Sequence, residues 1–385
     1  MKILMICDFF QENQQYQENL LVKYYLKLGH EVTIVTSTIT SVFDYYSGNY
    51  NKNIKPHEYC VNGFTIIRQP YLINILNKLR KLRGLKKIIN KIKPDFIYVH
   101  VAPLNLFPAI SFKNKNSNCK VVFDSHSDYS NSAKNWLSMN ILHKIIYKSV
   151  LKINYKKLDK IFYITPGGAE FLNQVYRIPK TYLSLLPLGV DSDYVEEIKS
   201  KKHQMRKKLG IDEGDFVVFA GGKLNREKKI ELVINSFLKI KEETCHLIIV
   251  GDTKDVKYKQ MLIGLIKQNP KIHFIGWVEG QQVYDYMSVC DVAVFPASQS
   301  IMWQQAIGSG LPLIIGQTLG QDATYLNRNN NIFLIEEDLV DEENIKNILN
   351  LLIKDENLLN TMKINAIKTT EEMLCYNEIA KKSII

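Results

Sequence analysis

Several features that define common protein classes are missing from this sequence of 385 residues. It contains no run of about 18 consecutive apolar residues, so a membrane-spanning helix is not expected. Residues 1–8 turn polar too early for a secretory signal peptide, and we therefore expect a cytoplasmic protein. The six cysteines are scattered without a CxxC pair, which favours reduced thiols over a zinc site or a disulfide framework.

Glycine is absent from the turn where a dinucleotide-binding fold needs it. The first predicted strand, 2–6, is followed by residues 7–18 without a single glycine, so the GxGxxG turn is missing. The turn after a later strand, 216–220, contains two glycines but not that spacing. A nicotinamide cofactor is therefore not expected.

The composition is that of a soluble globular protein. Hydrophobic residues make up 46% of the chain and charged residues 23%. A chain of this length exceeds one ordinary hydrophobic core and suits two domains. The net charge of +11 indicates an anionic partner, although the charge alone does not identify it.

Two basic segments account for part of this charge. Residues 78–93 contain eight basic residues and no acid, and apolar residues recur at helical spacing between positions 72 and 92. In a second segment, 144–160, lysines recur every four residues beside apolar residues. We predict two amphipathic helices, which either pack on a core with a solvated basic face or lie on an anionic membrane surface. Nucleic acid is not an expected partner, because no known binding motif accompanies the charge.

Short apolar runs alternate with longer helical patterns along the chain. The runs are apolar throughout, which is typical of strands buried on both faces of a parallel sheet. The predicted strands are 2–6, 32–36, 65–68, 96–100, 121–124, 161–164, 182–185, 216–220, 247–250, 272–275, 292–295, 313–315 and 332–335. This alternation predicts an α/β protein with two doubly wound, Rossmann-like domains. We place the first domain at 1–190 and the second at 191–365, followed by a C-terminal helix, 366–385, that could cross back to the first domain.

The strongest local motif is the turn after the predicted strand 216–220. Gly221 and Gly222 allow the backbone to approach a ligand, and Lys223, Arg226 and Lys228 follow before a predicted helix. Cations beside a helix N-terminus fit a diphosphate, because the side chains and the free N–H groups both favour negative charge. The alternative is a basic turn that is merely solvated.

A second stretch, 296–316, has the pattern of a ligand site that lacks an acid. It reads as a strand end, a polar loop, a short helix and a buried strand, yet it contains no carboxylate. An acid-free site of this kind favours an anionic ligand.

In their order along the chain, several stretches resemble the family 4 glycosyltransferases, which have the GT-B fold. The turn 220–228 resembles the motif that opens the nucleotide-sugar half of that family. Further similar stretches cover nearly the whole chain, namely 29–36, 94–100, 158–165, 186–191 and 306–315. The resemblance implies two domains that face a cleft, and retaining transfer of a sugar from a nucleotide diphosphate. It also implies that no metal and no cofactor is needed and that the donor is a UDP- or GDP-sugar.

The resemblance assigns roles to residues of the second domain. Lys223 and Lys228 match the positions that hold the leaving diphosphate, where their charge would stabilise the developing anion. Gly222 and Arg226 belong to the same substrate-binding turn. Three residues match positions around the nucleotide base: Trp277, Tyr284 and Asp291. Asp291 could equally be a turn residue, because it stands directly before a predicted strand.

The remaining candidates lie in the first domain. His126 matches the histidine that faces the donor sugar across the cleft, whereas without the resemblance it could equally satisfy neighbouring polar groups. His100 could support the site or belong to the core. The family often has two glycines after its first strand. Here Tyr16 and Gln17 occupy that loop and could contact an acceptor, or Glu18 could cap the following helix.

The acid-free stretch is where this chain departs from the family. The family usually has two glutamates with seven residues between them, the first at the donor sugar and the second at the ribose. Gln305 takes the second position, where it could still bind ribose hydroxyls. The first position falls on Ala297 when no gap is assumed, or on Ser300 when the loop is shortened by three. Negative charge beside the sugar is lost in either case.

The sequence therefore predicts a glycosyltransferase that extends a cell-surface or lipid-linked glycan. Its expected partners are a nucleotide sugar, a glycan or lipid-linked acceptor and an anionic membrane surface, and its expected place is peripheral, at the inner face of the cell membrane. Two alternatives remain at this point. One is a GT-B sugar-nucleotide epimerase, and the other is a non-catalytic glycan-binding or scaffold protein descended from a transferase, which the missing glutamates favour.

Overall fold

The computed structural model describes residues 1–51, 53–129, 131–318 and 321–384. The chain divides into two units, Met1–Pro187 together with Ile379–Ile385, and Leu188–Glu378. Residues 188–190 and 366–378 thus belong to the second unit, whereas the sequence analysis assigned them to the first domain and to the C-terminal helix.

Among the described residues, ten strands belong to the first unit. They are β1 (Lys2–Ile6), β2 (Glu31–Ser37), β3 (His57–Val61), β4 (Phe64–Gln69), β5 (Tyr71–Ile75), β6 (Leu79–Leu82), β7 (Phe96–His100), β8 (Lys120–Ser125), β9 (Lys160–Tyr163) and β10 (Leu183–Leu185). Eight of them form one sheet in the order β10-β9-β8-β7-β1-β2-β4-β3, in which only the edge pair β3–β4 is antiparallel. Every strand predicted for this half of the chain is confirmed. The edge strand β3 was missed because its residues are exposed or half-exposed, and it therefore has no apolar run.

Helices cover both faces of this sheet, as expected of a parallel sheet joined by crossover connections. They are α1 (Gln17–Lys27), α2 (Val42–Ser47), α3 (Leu85–Ile92), α4 (Leu106–Lys113), a π-helical segment (Ser138–Tyr147), α5 (Lys148–Asn154) and α6 (Pro166–Gln174). Short 3₁₀ turns occur at Pro103–Asn105, Tyr155–Lys157 and Lys180–Tyr182. The second basic segment is therefore helical, as predicted, although its helix begins earlier and is partly of the π type.

The prediction of one helix across the first basic segment is wrong. The strands β5 and β6 pair antiparallel as a separate hairpin, and only α3 is helical. Leu76 and Asn77 in the turn have φ values of 51° and 55°, the combination that a type I′ hairpin turn requires. The helical spacing misled the prediction because several of its apolar residues, Leu76 above all at 79% exposure, do not face a core.

In the described part of the second unit, six strands form one fully parallel sheet. The strands are β11 (Phe216–Gly221), β12 (Cys245–Val250), β13 (Ile272–Gly276), β14 (Val292–Phe295), β15 (Leu313–Gln317) and β16 (Ile332–Glu336). Their order is β13-β12-β11-β14-β15-β16, and all of them were predicted from the sequence.

Helices flank this second sheet as well. They are α7 (Ser192–Lys199), α8 (Lys202–Leu209), α9 (Ile230–Leu238), α10 (Val256–Ile266), α11 (Gln282–Ser288), α12 (Met302–Gly308), α13 (Glu342–Lys354), α14 (Glu356–Thr369), a π-helical segment (Thr370–Leu374) and α15 (Tyr376–Ser383). Short 3₁₀ turns occur at Arg226–Lys228, Thr324–Leu326 and Glu337–Leu339. Within the described part of the chain, every helix is too short or too polar to cross a bilayer.

Each unit has its own hydrophobic core between its sheet and its helices. In both sheets the parallel strands end at one common edge, which is where open α/β sheets usually bind ligands. The segments that leave β11 and β14 in the second unit, and those that leave β1, β7 and β8 in the first, therefore define where the candidate sites lie.

Candidate functional site

In the second unit, the turn after β11 depends on glycine. The Gly222 N–H donates to the carbonyl oxygen of Val250 at 2.9 Å, and Gly222 has a φ of 127°, which L side chains rarely adopt. A Cβ atom on Gly251 would lie 1.9 Å from the carbonyl oxygen of Gly222. Two glycines thus let the ends of β11 and β12 approach each other closely.

Lys228 is attached to the loop that follows β14. It is buried, and its Nζ donates to the carbonyl oxygens of Ser298 and Gln299 at 2.8 and 2.7 Å. Burial lowers the pKa of Lys228 to about 8, while the carboxylate of Glu227 opposes that shift. The ammonium group therefore holds the loop that leads to Ser300. Its contact with a diphosphate stays a prediction.

Ala297 and Ser300, the two residues considered for the first glutamate position, have different surroundings. Ala297 is buried at 1% exposure and cannot face a ligand. The Ser300 hydroxyl, in contrast, lies 3.8 Å from the position that a Cβ on Gly222 would occupy. Ser300 therefore lies beside the glycine turn, and its place at the first glutamate position stays a prediction.

Two further candidates around this turn differ in their surroundings. Lys223 is exposed in the turn itself. Arg226 is also exposed, but its Nε donates to the Asp255 carboxylate at 2.9 Å, and its guanidinium lies 5.1 Å from the centre of the Tyr258 ring. Lys223 thus combines exposure with a position directly after the two glycines.

The residues expected around the base separate into three environments. Asp291 precedes β14 at the opposite edge of the sheet, where it accepts from the Val217 N–H at 2.8 Å and from Lys363 at 2.6 Å. It is a structural residue before the strand, which is the alternative that the sequence analysis gave to a contact with the base. Tyr284 is buried in an apolar cluster, and its hydroxyl hydrogen-bonds the side chain of Gln305. Trp277, just after β13, is 67% exposed and remains a candidate.

In the first unit, a buried carboxylate connects two histidines. Asp124, at the end of β8, is fully buried. His100 Nδ1 lies 2.9 Å and His126 Nε2 lies 3.2 Å from its Oδ2 atom. His126 Nε2 also lies 2.7 Å from Gln17 Oε1, so this nitrogen carries the hydrogen and its ring orientation is fixed. The backbone N–H of Val101 donates to Asp124 Oδ1 at 3.1 Å.

The backbone at this edge is strained. Val101 has a φ of 59°, a value that is rare for a β-branched residue. Strained residues of this kind persist only where the surrounding structure holds them, and they occur often at functional sites. Here the bond from the Val101 N–H to Asp124 contributes to holding the turn that follows His100.

His100 is a charged partner of Asp124 and does not belong to the apolar core. Burial alone would lower the pKa of His100, but the Asp124 carboxylate raises it to about 9. Its other nitrogen, Nε2, lies 3.7 Å from the Glu18 carboxylate. His100, Asp124 and His126 each offer one ligand atom within 4.8 Å of the others, a spacing that could hold a metal ion.

The loop candidates near α1 have different exposures. Gln17 is buried at 4% exposure, and its Nε2 donates to the Tyr98 hydroxyl at 3.3 Å. Glu18 faces His100, and no side chain caps α1, whose N-cap residue is Tyr16. Glu18 therefore does not cap α1, and Gln17 is buried. Both side chains instead support the histidines. Tyr16 is 42% exposed and remains a candidate acceptor contact.

Sequence reasoning missed Asp124 as a functional residue. The available signal was its spacing, because Asp124 and His126 are two residues apart and side chains two apart along a strand share one face. The pairing of Asp124 with His100 depends on the alignment of β7 with β8.

Comparisons with known proteins identify the family of both units. The model described as "Glycosyltransferase Family 4" matches residues 19–194, and "Glycosyl transferases group 1" matches residues 201–369. The alpha-monoglucosyldiacylglycerol synthase of Acholeplasma laidlawii is 22% identical over 357 residues, which cover 88% of this chain and 84% of that protein. An Escherichia coli protein, UDP-Gal:alpha-D-GlcNAc-diphosphoundecaprenol alpha-1,3-galactosyltransferase, is 23% identical, covering 76% of this chain and 75% of its own length.

A similar solved structure extends the comparison to three dimensions. The crystal structure of Anabaena Alr3699/HepE in complex with UDP superposes with a TM-score of 0.67 at 16% identity. The match covers 100% of this chain and 98% of that one. At this identity the likeness establishes the fold.

Proposed function

The chain is a glycosyltransferase with the GT-B fold, and we propose that it transfers a sugar from a UDP- or GDP-linked donor to a lipid-linked or cell-surface glycan, with retention at the anomeric carbon. The relatives named above support a lipid-linked acceptor, because one name contains diacylglycerol and the other diphosphoundecaprenol. The solved neighbour with bound UDP supports a uridine nucleotide.

One observation carries the donor side of this proposal, namely the glycine turn with Lys223 beside it and Ser300 against it. Gly222 is buried, its N–H donates to the carbonyl oxygen of Val250, and Ser300 Oγ lies 3.8 Å from its projected Cβ. A diphosphate at this turn would meet the exposed ammonium of Lys223, and it would lie beside the loop that Lys228 holds. Positive charge placed where the leaving diphosphate gains negative charge lowers the barrier to transfer.

The acid-free loop changes what the protein offers the donor sugar. Ser300 supplies a hydroxyl at the donor sugar and Gln305 an amide at the ribose, and both groups can donate and accept hydrogen bonds. No carboxylate among the described residues 296–316 offsets the cations of the turn. The donor site therefore binds the nucleotide sugar mainly through its diphosphate, and no charged side chain of this loop contacts the sugar.

The histidine network supports a sugar-binding role of the first unit. Held by Gln17 and Asp124 at Nε2, the His126 side chain remains 27% exposed. A fixed and partly exposed imidazole can hydrogen-bond a sugar hydroxyl without reorganising during the reaction.

An anionic membrane surface is part of the proposal, at the cytoplasmic face. The hairpin β5–β6 exposes Leu76 at 79%, and the π-helical segment Ser138–Tyr147 exposes Ile145 at 55%. The Tyr147 hydroxyl donates to the carbonyl oxygen of Lys78 at 2.7 Å, so the two elements are adjacent. Exposed apolar side chains beside lysines are typical of surfaces that bind anionic lipids.

The test is calorimetric titration of the protein with UDP, GDP, ADP and CMP. We expect one nucleoside diphosphate to bind, and we expect Lys223→Ala to weaken it about tenfold, equivalent to about 1.4 kcal/mol. Lys228→Met should weaken it as well, because the loop before Ser300 loses its anchor. Lys267→Ala is the matched control, since Lys267 is an exposed lysine at the far end of α10. Absence of nucleotide binding, or equal losses in all three variants, would contradict the proposal.

A further inference from the structure

The first unit contains an open groove outside the histidine network. Its volume is about 670 Å³, and it lies between β6, the start of α3 and the start of α4. Leu82, Leu85 and Pro108 line it as buried apolar side chains. Leu72 and Phe107 line it as well, and they are 57% and 39% exposed. We refer to this feature as the basic groove.

Charge in the basic groove has one sign. Lys81, Lys86 and Lys87 line it, and none of the described residues that line it is acidic. Lys86 and Lys87 lie in the first turn of α3, which begins after Gly84 without a side-chain cap. Among the described residues these three lysines form no ion pair with a carboxylate, so they are available to an anion from outside the chain.

We propose that the basic groove binds an acidic phospholipid of the membrane, with the phosphate among the lysines and the upper part of an acyl chain against Leu72 and Phe107. Each lysine adds attraction to a negatively charged surface, and the exposed apolar side chains gain by leaving water. A free inorganic anion would contact the lysines but not the apolar side chains of the groove. A zwitterionic lipid would contact those apolar side chains but gain little from the lysines.

The position of the basic groove links lipid binding to the acceptor side of the protein. Its wall residue Leu82 donates through its N–H to Asn105 Oδ1 at 3.1 Å. Asn105 ends the 3₁₀ turn that follows His100 and Val101, and α4 begins directly after it. A lipid held in the basic groove would therefore rest on the same segment that leaves the histidine network. This inference rests on the membrane partner in the proposed function and specifies where that partner binds.

The experiment uses the whole chain and short-chain lipids below their micellar concentration. Binding of dihexanoyl-phosphatidylglycerol is measured by calorimetry, with dihexanoyl-phosphatidylcholine and glycerol 3-phosphate as comparison ligands. We expect saturable binding of one phosphatidylglycerol per chain, and at least tenfold weaker binding of the other two. The three compounds separate the contribution of the anionic headgroup from that of the acyl chains.

Two variants test the site independently. Ser111→Trp fills the groove without changing charge, because Ser111 lines it, and Ser117→Trp in an exposed loop is its control. The combined change of Lys81, Lys86 and Lys87 to alanine removes the cations from the groove. Its control replaces three exposed lysines of the second unit, namely Lys257, Lys267 and Lys354.

The expected result is at least tenfold weaker phosphatidylglycerol binding in both groove variants, with the two controls like wild type and UDP affinity unchanged in all. Binding that survives Ser111→Trp, or that falls equally in the lysine control, would overturn the proposal in favour of general attraction to charge. Equal binding of phosphatidylcholine would overturn it as well. If the wild-type protein does not bind UDP, that result instead contradicts the glycosyltransferase site. The two failures can therefore be distinguished.

Discussion

Asp124 is a carboxylate without solvent exposure that faces two imidazoles and a backbone N–H. A buried charge of this kind is tolerated only when it is paired and hydrogen-bonded, and His100 supplies the opposite charge. The proton on His100 is therefore part of the folded structure of the first unit. His126, which the proposed mechanism uses, depends on this pair for its orientation.

This pairing predicts how the stability of the first unit depends on pH. The pKa of His100 is raised to about 9 in the folded protein, against about 6.5 in an unfolded chain. The stabilisation is therefore fully present below pH 6.5 and lost as the pH rises through 9. We expect a loss of about 3 kcal/mol in the free energy of unfolding between these values.

Urea unfolding at pH 6.5 and 9.5 measures this loss. In His100→Gln the difference between the two pH values should nearly disappear, since the titrating group is gone. His57→Gln, at an exposed histidine of the same unit, should keep the wild-type difference. An unchanged difference in His100→Gln would show that the proton on His100 does not contribute.

At the scale of secondary-structure elements, the hairpin β5–β6 requires tertiary contacts. A two-stranded hairpin is at best marginally stable alone in water. This one is fixed by Arg80, whose Nε donates to Asp8 Oδ2 at 2.7 Å at the end of β1. The guanidinium also lies 5.3 Å from the Phe9 ring centre and 5.4 Å from that of Tyr45. Burial raises the pKa of Asp8, and the charge of Arg80 opposes that shift.

Removing Arg80 should therefore destabilise the first unit strongly. Arg80→Met leaves the Asp8 carboxylate buried without a counter-charge, and we expect a loss of about 3 kcal/mol in urea unfolding at pH 7. The double variant Asp8→Asn with Arg80→Met should recover part of that loss, because the uncompensated charge is gone. Arg83→Met, at an exposed arginine just after β6, should change stability by less than about 0.5 kcal/mol. Equal effects of the two arginine substitutions would contradict this account.

At the scale of the whole molecule, each unit has its own sheet, core and candidate site. A ligand that binds one folded unit stabilises that unit by mass action, by about 2.7 kcal/mol at 100 times its dissociation constant. The proposed nucleotide site lies entirely in the second unit. Nucleotide binding should therefore reduce local opening mainly in the second unit.

Hydrogen exchange followed by mass spectrometry tests this expectation. With UDP present, we expect slower exchange in peptides from 216–238 and 296–316, which contain the glycine turn and the acid-free loop. Exchange in the hairpin, 71–82, should stay the same. Lys223→Ala at the same UDP concentration is the control and should reduce the protection. Protection confined to the first unit would contradict placement of the nucleotide in the second.

Much of the structure of this protein could be predicted from short stretches of its sequence. Apolar runs predicted the parallel strands of both sheets, because a parallel strand is buried on both faces and therefore contains few polar residues. The glycine turn and the acid-free loop were visible as well, since glycine at 222 and the lack of carboxylates in 296–316 are properties of single stretches. The resemblance of ordered stretches to a family added the fold and the activity.

Only the tertiary structure decided which residues meet. Arg80 reaches Asp8 across 72 residues of chain, and that contact, with a turn at positive φ, makes a hairpin of a segment whose spacing is helical. Strand order likewise pairs His100 with Asp124 and sends Asp291 to the edge opposite the glycine turn. Periodicity records which face of an element is apolar, but it carries no information about the neighbour that covers that face. The neighbour is determined by how the strands are ordered in the sheet, and the environment of every buried charge in this protein follows from that order.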